Sequence, residues 1–223
     1  MRTTQEHTER PNTQEMVVVH RGLRREARLL VELIAAVAPG DTARARELAD
    51  HFRDYRLGLT NHHHGEDEHL WPLLLAPVDL EADLVLRMEI QHERVAASLT
   101  AAEEALTAWE RTAGEAERDA LVPFLAEHRS VLAEHLDDEE AGLLPLAEGP
   151  VHVRVGAAGR ALPREHAKPK LLFFLGMVLE DADPAERASV LAALPLAGRL
   201  LWHTVGRPAY ARRTRALRRT ARG

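Results

Sequence analysis

Two stretches of the chain carry side chains suited to holding metal. The first, His62-His63-His64-Gly65-Glu66-Asp67-Glu68-His69, contains His62-x-x-x-Glu66, and the second, His135-Leu136-Asp137-Asp138-Glu139-Glu140, repeats it as His135-x-x-x-Glu139, 73 residues later. Each is followed by a short apolar run ending in proline, Pro72 and Pro145. On a helix, residues four apart share a face, with Cβ atoms about 5–6 Å apart. Each pair therefore offers one imidazole and one carboxylate to a common point. The chain has 13 histidines and no cysteine. Disulfides, iron–sulfur clusters and thiolate zinc sites are excluded, and any metal is held by nitrogen and oxygen.

The elements that must position these residues are helices. Ala, Leu, Glu and Arg dominate, and aromatics make up only 4% of 223 residues, a composition that favours an all-α fold. Apolar residues recur at helical spacing in four segments. The first runs from about Thr13 to Pro39-Gly40, with Met16, His20, Leu23, Ala27, Leu30 and Ile34 on one stripe. The second starts at Asp41 or Thr42, reaches about Leu75, and carries Leu48, Phe52, Tyr55, Leu59, His62 and Glu66. A third, after Asp79 and up to about Thr112, carries Met88, His92, Val95 and Leu99. The fourth, from about Asp119 to Gly142, tolerates Pro123 near its start and carries Phe124, His128, Leu132, His135 and Glu139. Short connections make neighbours antiparallel, so the expected fold is an up-down-up-down four-helix bundle. Helices two and four then run parallel, and their two His-x-x-x-Glu units meet at one depth.

Six residues converge in this arrangement: His20, His62, Glu66, His92, His135 and Glu139. Four imidazoles and two carboxylates exceed what one tetrahedral zinc takes. They suit two ions about 3.5–4 Å apart, bridged by Glu66 and Glu139, and this donor set suits iron, with manganese as the alternative. His63, His64 and His69 are expected on the solvated outer face, so that His63→Ala leaves the metal in place. Tyr55 and His128 are read as core packing, while Asp67, Glu89, Glu93 and Glu140 adjoin the ligands and can orient imidazoles.

One metal-binding histidine or His-x-x-x-Glu pair per helix, over roughly residues 14–146, resembles the hemerythrin-like, or HHE cation-binding, domain. The resemblance implies a carboxylate-bridged non-haem di-iron centre whose partners are O2, peroxide or nitric oxide, for storage, sensing or detoxification. Two other readings stand beside it, a di-iron oxidase or oxygenase with a small organic substrate and a metal-stabilised binding module. The oxygen carriers of that family have a His-x-x-x-His pair on the third helix. Here Met88 and Ala96 lie four residues from His92, a missing imidazole that favours redox turnover over reversible O2 carriage.

The remainder divides as a flexible N-terminus (1–13), the bundle (14–148) and a connector with a basic helical extension (149–223). Residues 1–150 carry 15 arginines against 30 acids, and residues 151–223 carry 14 basic residues against five acids. This asymmetry suggests a basic appendage on an acidic body. Two helices are expected there, 168–181 and 184–206, with Asp183 capping and Pro184 at the first position of the second. The run Leu171–Leu179 is too short to span a bilayer, which needs about 20 residues, and is expected to pack on the bundle. The terminal arginines are expected to pair with the acidic bundle, with no nucleic-acid motif beside them. With no apolar leader in the first residues, the expected location is the cytoplasm.

Overall fold

The computed structural model describes residues 14–69, 82–142, 145 and 168–219. Helices α1 (Gln14–Ala35), α2 (Thr42–His69), α3 (Ala82–Thr112) and α4 (Glu115–Gly142) form a four-helix bundle. α1 packs on α2 and α4, and α3 packs on the same two helices, which closes the ring expected of alternating neighbours. The α1–α2 loop and the α3–α4 turn meet at one end of the bundle, where the Gly40 amide donates to the Ala113 carbonyl at 2.9 Å. Gly40 has φ +82°, a left-handed conformation that glycine adopts without a Cβ penalty. Asp41 caps α2 by accepting from the Arg44 amide at 3.0 Å.

The buried stripes follow the sequence periodicity. Leu23, Ala27, Leu30 and Ile34 of α1 meet Leu48, Phe52, Tyr55 and Leu59 of α2, Val95, Leu99, Leu106 and Trp109 of α3, and Leu121, Leu125, Leu132 and Leu136 of α4. Phe124, placed on the α4 stripe by sequence, is instead exposed, and Leu125 is buried. α4 also begins earlier than Asp119, so Pro123 lies inside the helix and not near its start. Glu115 and Glu117 in the first turn favour the earlier start, because acidic side chains complement the helix dipole there. α1 ends at Ala35, ahead of Pro39. The N-terminus, the last turn expected of helix two and the connector before Lys168 lie outside the described residues.

The C-terminal helices lie on the bundle. α5 (Lys168–Glu180) packs against α1 and α2, and α6 (Pro184–Ala192) against α1. Phe173, Met177, Val178 and Leu179 of α5 are buried, as expected of a helix docked on the bundle. Asp183 caps α6 through a capping box with Glu186. The single helix expected over 184–206 is broken. Pro195 cannot donate to the preceding turn, and a new helix, α7 (Leu196–Leu201), starts after it. A π-helical stretch, Trp202–Gly206, leads into α8 (Arg207–Leu217), which packs on α5. The acidic body and basic extension pair as their charges suggest. Asp54 of α2 meets Arg213 at 2.6 Å and Lys170 at 3.2 Å, and Glu26 of α1 lies 3.7 Å from Arg218. No helix among the described residues is long and apolar enough to cross a membrane.

Candidate metal centre

All four bundle helices send polar side chains to one buried point. α1 supplies His20, α2 supplies His62, His63 and Glu66, α3 supplies His92, and α4 supplies His135 and Glu139. The six residues expected from sequence are all there. The seventh, His63, overturns the expectation of a solvated outer-face histidine: it is only 6% exposed, whereas the His64 side chain is 58% exposed. His63 stacks on His92 with ring centroids 4.1 Å apart and planes 9° from parallel. The second imidazole beside His92 thus comes from α2. A signal for it existed, since His63 lies four residues after Leu59 and three before Glu66, both core positions. The buried stripe of α2 is wide enough here to take two adjacent residues.

The imidazoles fall into two groups. His20 and His62 have centroids 5.1 Å apart. His63, His92 and His135 form the other, with His63–His135 at 4.9 Å and His92–His135 at 4.7 Å. Glu66 stands between the groups, with Oε1 3.1 Å from His62 Nε2 and Oε2 3.5 Å from His92 Nε2. Glu139 also faces both, its Oε2 lying 3.5 Å from His20 Nε2 and 3.7 Å from His135 Nε2. Potential ligand atoms of His63, Glu66, His92 and His135 lie within 4.8 Å of one another, as do those of His20, His62 and Glu66.

Three of the outward ring nitrogens are occupied. His20 Nδ1 donates to Glu140 Oε1 at 2.9 Å, and Arg24 holds that carboxylate at 2.6 Å. His92 Nδ1 donates to Asp67 Oδ1 at 2.7 Å, and His135 Nδ1 to Gln91 Oε1 at 3.3 Å. Each such bond places the proton on Nδ1 and aims a bare Nε2 inward, the arrangement that orients metal-binding histidines. Asp67 and Glu140 were expected in this role. Gln91 was not, because an uncharged amide carries no mark of that role in sequence, and Glu89 and Glu93 are exposed.

The inward atoms have no hydrogen-bond partner. Nε2 of His20, His62, His63, His92 and His135, and both oxygens of Glu66 and Glu139, are buried and unsatisfied. Buried polar atoms are nearly always paired, and nine unpaired ones at a single point are what a cation would satisfy. Electrostatics agree. Burial, with Glu139 close by, pushes the Glu66 carboxyl well above the usual carboxylate range, and burial also raises Glu139. Burial and neighbouring imidazoles hold His62 and His63 well below the usual histidine value, and His135 falls to about 3. Those rings stay neutral, with lone pairs available. A bound cation inverts the penalty on the two carboxylates. The donor set fits a borderline or hard metal ion.

A family model described as the Hemerythrin HHE cation binding domain matches residues 12–147. No curated protein matches the chain, and no solved structure does.

Proposed function

The chain belongs to the hemerythrin HHE cation-binding family, and we propose that it is a non-haem di-iron protein that binds and reduces O2, peroxide or nitric oxide. The supporting observation is the convergence of nine buried, unsatisfied ligand atoms from four helices. His63, His92 and His135 would hold one ion, His20 and His62 the other, and Glu66 and Glu139 would bridge them. A reduced iron pair with an open position binds such diatomic or peroxidic molecules and supplies electrons to them. The three-to-two division of imidazoles would leave the His20–His62 side with the open position. With His63 in the set, the imidazole missing from α3 comes from α2, and its absence no longer favours turnover over reversible carriage.

The chain's own contribution is to exclude bulk water and to fix direction. His20, His63, Glu66, His92, His135 and Glu139 are all buried, which keeps bulk water from the ligand atoms. Arg24, through Glu140, anchors His20. The test mixes anaerobically reduced, iron-loaded protein with O2, peroxide and nitric oxide in turn and follows the optical spectrum. A stable, reversible charge-transfer band identifies carriage, and a band that decays to the oxidised centre identifies turnover. Iron-loaded protein whose spectrum changes with none of the three contradicts the proposal.

A further inference from the structure

Two turns from the metal centre, a one-way chain of hydrogen bonds crosses the core. Tyr55 precedes His62 by seven residues on α2, and His128 precedes His135 by seven on α4, an axial offset of about 10 Å. Both side chains are buried, Tyr55 at 0% exposure and His128 at 1%. The Ser98 hydroxyl of α3 donates to the Val95 carbonyl at 2.8 Å, so its oxygen is left to accept from His128 Nδ1 at 2.9 Å. The His128 proton therefore sits on Nδ1. The bare Nε2 accepts the Tyr55 hydroxyl proton at 2.7 Å. Burial keeps this imidazole neutral, pushed down to about 4, and holds the phenol well above its ordinary value. Neither residue is needed for the ligand set described above.

A phenol that gives up an electron becomes a strong acid, and without a base at hand its proton has nowhere to go. A lone pair already hydrogen-bonded to the hydroxyl removes that obstacle without any movement of the chain. We propose that Tyr55 is redox-active: it supplies one electron to peroxide reduced at the metal centre while its phenol proton passes to Nε2 of His128. The proposal rests on the di-iron reading. Reducing one peroxide to two waters takes two electrons and two protons. Where the ions retain only one electron, Tyr55 provides the second. Its O–H bond breaks, the electron goes to peroxide, the proton makes His128 an imidazolium, and a neutral tyrosyl radical remains. The two protons for water come from solvent. A one-electron reductant such as ascorbate then returns the electron to Tyr55, and His128 returns the proton.

The experiment uses full-length, iron-loaded protein oxidised to leave one electron per iron pair, mixed with hydrogen peroxide and frozen for electron paramagnetic resonance. Tyr55 and Tyr210 are the two tyrosines of the chain, so ring-deuterated tyrosine and two variants assign any radical. The wild type is expected to give a tyrosyl signal that narrows on deuteration and survives Tyr210→Phe. Tyr55→Phe loses it. His128→Gln, which keeps an acceptor but no base, also loses it, with iron content and circular dichroism unchanged. If His128→Gln fails to fold, the comparison of Tyr55→Phe with Tyr210→Phe decides. A signal that persists in Tyr55→Phe, or iron-loaded wild type without a tyrosyl signal, overturns the relay and leaves the metal centre standing. Protein that takes up no iron overturns the metal reading and the relay with it.

Discussion

His63 and His64 are neighbours in sequence and opposites in environment. One ring is stacked on His92 inside the bundle, and the other pairs with Glu68 at the surface. Their replacements should therefore diverge. His63→Ala is expected to lower metal affinity by at least the roughly 10–100-fold seen when supporting residues are lost, and His64→Ala to leave it unchanged, both read by competitive chelator titration. Glu66 gives a second prediction at this scale. Its folded carboxyl is raised above the ordinary value of 4.5, first by burial and then by Glu139. A raised carboxylate contributes stability that is fully present below the unfolded value and lost as pH rises through the folded one. Metal-free Glu66→Gln is therefore expected to be more stable than the metal-free wild type at pH 7. That difference shrinks as pH falls below the raised folded value and vanishes below about 4.5, measured by urea unfolding. The histidines push the other way, since His135 is lowered to about 3 and loses stability for the fold as pH falls. Comparing the two proteins cancels that contribution. His62, Glu66, His135 and Glu139 were legible because a polar pair at four-residue spacing interrupts an apolar stripe. His63 was not, because a single stripe assigns one residue per turn while a bundle helix buries a face wide enough for two.

Helix boundaries were legible where local chemistry fixes them, as at Asp41 and Asp183 with their side-chain caps. They differ in α4, which starts at Glu115 and not near Asp119, and at Pro195, where the helix expected over 184–206 breaks. The contacts between elements were invisible in sequence altogether. Gly58 reads as a weak point in α2, yet a methyl built there would overlap the Phe174 ring of α5. The residue is absent of side chain because the two helices touch. Gly58→Ala is expected to force α5 away from α2 and to destabilise the protein by about 1–3 kcal/mol, the range for overpacked sites. Metal content should be unaffected, because residue 58 lies a full turn before His62. Thermal unfolding together with metal analysis checks both halves of this expectation.

At the scale of the molecule, the acidic bundle and basic extension are joined by a buried network and not by surface charge alone. Glu26 is 2% exposed. It accepts from His51 Nε2 at 2.8 Å and from Arg25 at 2.9 Å, with Arg218 of the extension 3.7 Å away. Burial alone would raise its carboxyl, but His51 and Arg25 outweigh that and hold it below the ordinary value. Removing one partner of a buried ionic group leaves the others uncompensated, which costs about 3–5 kcal/mol. Glu26→Ala is expected to lose stability in that range by denaturant unfolding, far more than loss of the exposed Arg28–Glu32 pair, for which under about 1 kcal/mol is expected. The charge asymmetry between the two parts was plain in the sequence, but the burial of Glu26 was not, because it depends on α5 and α8 covering that face.

The proposed centre requires Glu66 and Glu139 to join two cations in one buried site. Metal analysis of iron-loaded wild type, Glu66→Ala and Glu139→Ala tests it most directly. Two irons per wild-type chain and loss of both in each variant are expected, because a bridge serves both ions. Equal iron in all three proteins, or a wild type that stays empty under loading conditions, would contradict it.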